Sequence, residues 1–553
     1  MNLPEESPPW LSPLADALAE ALPRLQQEAP NPRLQELIRA LTAALAQGEP
    51  ELSLDGAAPP GIDPEHWPDG YRDALLASAL GRPPGGPLVL EPGRILWRRW
   101  WEQRQEVLES LIQRARSAPP ARLPPAGPRP PAEGSAAAEA LRGLDPDQRR
   151  AVEAVGRYRL VLLQGGPGTG KTSTVARMLL WLAEPQSAAR IHLAAPTGKA
   201  AARLRAATGG RYPCTTLHRL LESRGEGFAR HRRNPLDLDL LVVDEVSMVD
   251  QALMAALLEA LPDPCRLVLV GDPAQLPPVA PGALLPELQG PRLREALGEA
   301  AITLRTVHRN AGAIAAVAER LRGVIAAGGT DPLGALRDLL EPLGPQDNLL
   351  WRESPADVLP GPLLEALAGH RRRLAERARG CRPGDLTAEA ALLAERDRLL
   401  VLTPRRRGPW GVEAIHRGLL GAAVLADPRR WPPGTPVLCS RNLPDLGLAN
   451  GDLGVVLEAD PEDGEPRLLF GPAEAGGEVP ALRLHPAQIA GSLEPALALT
   501  VHKAQGSEAE AVIVLLNGGE PHDPRLLYTA LTRARGRAVL LTAAPRLPNG
   551  FPA

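Results

Sequence analysis

Short apolar runs separated by amphipathic stretches dominate the middle and the end of this 553-residue chain. Leu160 to Gln164, Ile191 to Ala195, Leu238 to Asp244 and Leu267 to Asp272 carry few polar positions. Each therefore predicts a strand buried on both faces, the mark of a parallel sheet covered by helices. A second set, Leu399 to Thr403, Ala511 to Leu516 and Ala538 to Thr542, predicts a second sheet and hence two α/β lobes. From Trp431 to Pro495 the pattern shifts to short strands broken by turns at Asn450-Gly451 and Glu462-Asp463-Gly464, which predicts a small β domain inserted into the second lobe.

The first hundred residues read differently. Asn31 can cap a helix that starts at Pro32, and Leu34, Leu37, Ile38, Leu41 and Leu45 form one apolar stripe ending at Gly48. Trp97, Trp100 and Trp101 are expected in a helix core, with an aromatic anchor for a partner subunit as the alternative. Ser117 to Ser135 is dominated by proline, alanine and glycine and cannot bury enough apolar surface to order itself. The predicted division is a helical domain over 1–116, a linker over 117–135, a first lobe over 136–335, a second lobe over 336–430 and 496–553, and an insertion over 431–495.

Composition narrows the class. The length calls for several domains, and the start, MNLPEESPPW, lacks the basic and apolar regions of a signal peptide. No apolar stretch reaches the roughly 20 residues of a membrane span, so a cytoplasmic protein is expected. Four scattered cysteines without a CxxC pair indicate neither zinc nor a disulfide framework. A net charge of -3 carries no global nucleic-acid signature, and the runs Arg230 to Arg233, Arg371 to Arg373 and Arg405 to Arg407 read first as solvated faces. Of 62 basic residues only three are lysine, Lys171, Lys199 and Lys503. A chain so rich in arginine keeps an ammonium where a compact, mobile point charge is needed.

All three lysines lie in motifs. GGPGTGKT (Gly165 to Thr172) follows a strand and opens a helix, the context of a phosphate-binding P-loop. Gly165, Gly166, Pro167, Gly168, Thr169 and Gly170 would wrap backbone amides around phosphates, Lys171 would neutralise charge, Thr172 would offer Mg²⁺ a hydroxyl, and Ser173 continues the cradle. LLVVDEVSM ends a strand in two carboxylates: Asp244 can hold Mg²⁺ and Glu245 can activate water. Gln275 in GDPAQLPPV can donate and accept, which suits a γ-phosphate sensor. Arg309 in TVHRN and Arg533 in YTALTRAR are candidate arginine fingers.

Taken in order, the P-loop, APTGKAA, TTLHRL, VVDEVSM, GDPAQLPPV, TVHKAQGSE and YTALTRAR resemble the superfamily 1B helicases, specifically the RecD family, alpha subunits of exodeoxyribonuclease V (RecBCD). The resemblance spans Leu144 to Leu541. It implies an α/β fold with two RecA-like P-loop NTPase lobes, a small SH3-like β insertion in the second lobe and a helical N-terminal domain that docks on RecC. It further implies ATP with Mg²⁺ between the lobes, motion 5′-to-3′ on the 5′-ended strand of a duplex end, and RecB- and RecC-like partners, one of which carries the nuclease. By motif, Gln148 would contact adenine. Thr197, Lys199, Thr216, His218, Thr500, His502 and Lys503 would line a single-stranded DNA track, while Gln505, Gly506 and Glu508 would link that track to the nucleotide. Glu222 to Leu236 stands where the family places a strand-separating hairpin. A solitary helicase and an ATP-gated DNA clamp without translocation are the competing readings.

Overall fold

The computed structural model describes residues 11–118, 136–182, 189–225, 227–278, 280–306, 312–460, 464–471, 481–517 and 522–544. The predicted strands of the first lobe form a six-stranded sheet in the order Ala301–Leu304, Leu160–Gly165, Arg266–Gly271, Leu240–Val243, Ile191–Ala195, Cys214–Thr216. Every pairing is parallel. Side chains alternate across a strand, and here both faces are covered: Leu160, Leu162, Leu267 and Leu269 enter one core, Val161, Leu163, Val268 and Val270 another. That double burial is why the sequence shows continuous apolar runs.

The second lobe repeats the plan with five parallel strands in the order Leu349–Ser354, Ala534–Ala543, Ala509–Leu516, Leu399–Thr403, Leu499–Thr500. Val512 and Val514 face one core while Ile513 and Leu515 face the other. Between its strands sits a five-stranded antiparallel sheet, Leu482–Leu484, Pro466–Phe470, Leu453–Ala459, Pro436–Cys439, Leu493–Pro495. One face of this sheet closes over Val437, Val456 and Phe470, and the other packs Val455, Leu457 and Leu469 on the helices Gly361–Gly380 and Leu386–Arg396 through Leu374 and Leu393. The turn at Gly451 has φ +94, as an Asn-Gly turn requires, whereas Glu462 and Asp463 lie outside the described residues.

The N-terminal unit holds the expected helix Pro32–Ala46, capped by the Asn31 side chain. It also contains a three-stranded antiparallel sheet, Glu51–Ser53, Arg94–Trp97 and Leu88–Glu91, so it is not purely helical as the sequence reading had it. Trp97 ends a strand rather than joining a helix, and it packs in the N-terminal core. Helix Arg98–Arg116 then leaves this unit and buries Val107, Leu111 and Ile112 in the first lobe's core, while Arg114 donates to the carbonyls of Leu261, Pro262 and Cys265. Among the described residues no helix is long and apolar enough to cross a membrane. All four cysteines are free.

Gly434 fixes how the insertion seats. Its φ is +83, and a Cβ there would stand 2.4 Å from the backbone nitrogen of Ala375 on helix Gly361–Gly380. Left-handed backbone and overlap with main chain add, so Gly434→Ala should destabilise the second lobe by roughly 2 kcal/mol or more. Urea unfolding of the two proteins checks this; equal midpoints would contradict the close approach.

Candidate functional site

Strand Leu160–Gly165 lies inside the first sheet and delivers the P-loop at its carboxyl end, where open α/β sheets bind ligands. The loop's shape demands its glycines: Gly168 and Gly170 have φ of +75 and +82, and a Cβ on Gly165 would meet Thr169 Oγ1 at 2.5 Å. Thr169 is buried and donates to the Gly166 carbonyl at 2.8 Å, closing the turn from within. Lys171 starts helix Lys171–Leu182 and donates to the Gly165 and Gly166 carbonyls at 2.7 and 3.1 Å.

Strand Leu240–Val243 ends at Asp244 and Glu245, both nearly buried. Glu245 adopts φ +53, an uncommon conformation for a side-chain-bearing residue, and its backbone N–H donates to Asp244 Oδ1 at 2.9 Å. Burial, then the neighbouring Glu245 charge, pushes the Asp244 carboxyl above its ordinary value, against the pull of Lys171 and Arg203. Glu245 Oε2 is buried without a hydrogen-bond partner. Two crowded carboxylates and an orphaned oxygen make an electronegative corner that fits a divalent cation and an ordered water.

A cavity of about 290 Å³ opens on this corner. It is lined from the first lobe by Gly166, Pro167, Gly168, Gly170, Lys171, Thr172, Ser173, Asp244, Glu245 and Gln275, and from the second by Glu508 and Arg533. Arg533 is buried, its Nε donating to the Thr529 carbonyl at 3.1 Å. Gly165 and Thr169 stand behind the lining. Gln148 lies on helix Pro146–Arg157, where its amide completes a capping box with Asp145. Gln505 is also off the cavity, donating to the Leu276 carbonyl at 3.0 Å, and Gly506 turns with φ +75 against Thr197. Arg309 lies outside the described residues.

Sequence reading passed over Arg203, which lines the same cavity. Its guanidinium pairs with Glu508 across the lobes at 3.0 Å, and Glu508 pairs in turn with Arg535 at 3.0 Å. Burial opposes the Arg203 charge, but Glu508, Glu245 and Asp244 more than offset it. Only its place on helix Gly198–Ala207, one turn past Lys199, could have singled it out.

The remaining expected residues sit at strand ends of both lobes. Thr197, Thr216 and Thr500 each use the side-chain oxygen to accept from a backbone N–H three residues on, leaving the hydroxyl proton for another acceptor. Lys199 Nζ donates to Ser507 Oγ of the second lobe at 2.9 Å. Burial and then Arg396 push its ammonium down to about 8, with Asp397 and Asp452 opposing. Lys503 Nζ pairs with Glu494 of the insertion at 2.7 Å and, with Thr500, edges a second cleft of about 220 Å³ that also holds Arg406 and Arg417. Burial lowers the His502 pKa, with Asp523 opposing. His218 stacks obliquely on Phe228, ring centroids 6.0 Å apart. Phe228 belongs to a small antiparallel hairpin, Ser223–Arg224 with Gly227–Phe228, inside the 222–236 segment.

Residues 148–281 match the AAA domain model and residues 495–541 the UvrD-like helicase C-terminal domain model. The chain is 36% identical over 522 residues to the RecBCD enzyme subunit RecD of Mycolicibacterium smegmatis, covering 86% of this chain and 83% of that one. It is 37% identical over 513 residues to the RecBCD enzyme subunit RecD of Mycobacterium tuberculosis, covering 86% and 81%. The ATP-dependent RecD2 DNA helicase of Deinococcus radiodurans is 35% identical over 415 residues, 72% of this chain and 49% of that one. Among solved structures, Bacteroides Pif1 bound to single-stranded DNA matches with a TM-score of 0.40 and 17% identity over 72% of this chain and 92% of that one.

Arg203→Gln removes positive charge from the cavity and takes one arginine partner from Glu508. The dissociation constant of a fluorescent ATP analogue should rise about fivefold, near 1 kcal/mol, while the unfolding midpoint moves little because the nearly buried Glu508 keeps its ion pair with Arg535. Unchanged nucleotide affinity would remove Arg203 from the site.

Proposed function

The chain belongs to the RecD family, and from that premise we propose that it is an ATP-driven DNA helicase subunit that translocates 5′-to-3′ on the 5′-ended strand of a duplex end. In this reading the two parallel-sheet lobes are RecA-like, the antiparallel insertion is SH3-like, and the partners are RecB- and RecC-like subunits, with nuclease chemistry in a partner. The assembly would act in double-strand-break repair and recombination. The observation that carries the proposal is the cavity: P-loop, Asp244 and Glu245 from one lobe face Arg533 and Glu508 from the other across a single space.

The chemistry follows from those groups. Backbone amides of Gly168 and Gly170 and the Lys171 ammonium hold the β- and γ-phosphates. Thr172 and Asp244 would hold Mg²⁺, which when bound supplies charge neutralisation at the phosphates. Among the described residues no three carboxylate, histidine or cysteine side chains form a metal-binding group. Glu245 takes the proton from a water that attacks the γ-phosphorus as the bond to the ADP oxygen breaks, releasing phosphate. Arg533 stabilises the spread charge and does so only with the second lobe in place, so turnover is tied to lobe closure. Lys199, Thr197 and Thr216 on one lobe and Thr500, His502 and Lys503 on the other hold DNA phosphates without reading bases.

Lys171→Gln should lower DNA-stimulated ATP turnover at least a hundredfold while leaving the far-ultraviolet circular dichroism unchanged; normal turnover would refute the site. Polarity is read from streptavidin displacement on single strands biotinylated at either end, with faster release from a 3′-terminal block expected. Faster release from a 5′-terminal block would reverse the direction, and failure at both ends would replace the motor with a clamp.

A further inference from the structure

The loop from Gly271 to Leu276 leaves the first sheet beside the nucleotide cavity and is held by three side chains of the second lobe. Tyr528 donates its hydroxyl to Asp272 Oδ2 at 2.8 Å, the Leu276 N–H donates to Thr529 Oγ1 at 2.9 Å, and Gln505 donates to the Leu276 carbonyl at 3.0 Å. Tyr528, Thr529 and Asp272 are all fully buried. Asp272 spends its remaining acceptor capacity inside the loop: Oδ1 takes the Ala274 N–H at 3.1 Å, and Oδ2 takes the Gln275 amide at 3.4 Å. Gln275 thus turns its NH₂ towards Asp272 and its carbonyl oxygen away from it. Gln275 is the part of the loop that lines the cavity.

We propose that Tyr528 is a positioning residue for hydrolysis: it fixes Asp272 from the second lobe, and Asp272 fixes the amide of Gln275, so the face Gln275 offers to the γ-phosphate and attacking water depends on the second lobe being seated. The inference rests on the proposed ATP hydrolysis and gives it a further interlobe link, separate from Arg533 and from the Arg203–Glu508 pair. Burial, then the Asp272 charge, raises the Tyr528 phenol well above its ordinary value, so it remains a donor at any working pH. Tyr528 Oη also lies 3.3 Å from where a Cβ on Gly166 would stand, with Arg322 Nη1 at 3.2 Å from the same point, so the hydroxyl sits beside the P-loop as well as the Gln275 loop. Lobe opening by the length of one hydrogen bond would free Asp272, and Gln275 with it.

Tyr528→Phe keeps the ring in its core and removes only the hydroxyl. Steady-state ATP turnover on single-stranded DNA is measured for the wild-type full chain, Tyr528→Phe, Gln275→Ala and the double variant. The expected result is a kcat about tenfold lower in Tyr528→Phe, with the ATP KM within about twofold of wild type, and no further loss when the change is made in the Gln275→Ala background. A merely structural hydroxyl would lower turnover by the same factor with or without Gln275, and that additivity would overturn the proposal. So would a Tyr528→Phe protein with full kcat. Should Tyr528→Phe fail to bind a fluorescent ATP analogue, Asp272→Ala carries the same cycle with the same two outcomes. A wild-type chain that hydrolyses no ATP would overturn the function itself, whereas an active wild type with an additive cycle would sink this link alone.

Discussion

Leu276 gives both of its backbone polar groups to the opposite lobe, its N–H to Thr529 and its carbonyl to Gln505. A buried main-chain group that loses its partner costs about 1–3 kcal/mol, so the loop cannot leave the second lobe without finding replacements. The same contact surface carries the Tyr528–Asp272 bond and ends a few residues from Arg533. Two rigid sheets are therefore joined at the point where the nucleotide cavity needs them to meet. The geometry of the cavity is a property of that junction more than of either lobe.

Charge is handled differently at the two ends of the interlobe surface. Around the phosphate corner, Asp244 and Glu245 crowd each other with Lys171 and Arg203 as partial relief, an arrangement that favours an incoming cation bound to an anion. Along the proposed DNA track each lysine already has a partner, Lys503 the Glu494 carboxylate and Lys199 the Ser507 hydroxyl. At Lys503 a phosphate would exchange one anionic partner for another and gain little from bare attraction. Binding of that kind is permissive enough for a strand that has to slide.

Much of this was legible in the sequence because double burial leaves an unmistakable trace. Ile191–Ala195 and Leu399–Thr403 appear with the predicted limits, and Ala538 to Thr542 is the interior of the longer strand Ala534–Ala543. Leu349–Ser354 escaped notice because it is an edge strand whose polar half, Arg352 and Glu353, faces solvent. The three-stranded sheet near the N-terminus was hidden by strands of three and four residues, too short for a period to register. At the site, motifs pointed to the P-loop, Asp244, Glu245, Gln275, Glu508 and Arg533, which line the cavity. They did not expose Arg203, one arginine among many, or Tyr528, which reads as an apolar position on its helix until the partner loop is seen.

Helix Arg98–Arg116 begins against the N-terminal sheet and ends in the hydrophobic interior of the first lobe, with no flexible segment between. The front of the molecule and the half that carries the P-loop are thus one mechanical body. In the proposed motor, any neighbour that grips the front would hold the P-loop half still in its own frame, leaving the half with Arg533 and the β insertion as the stroke arm.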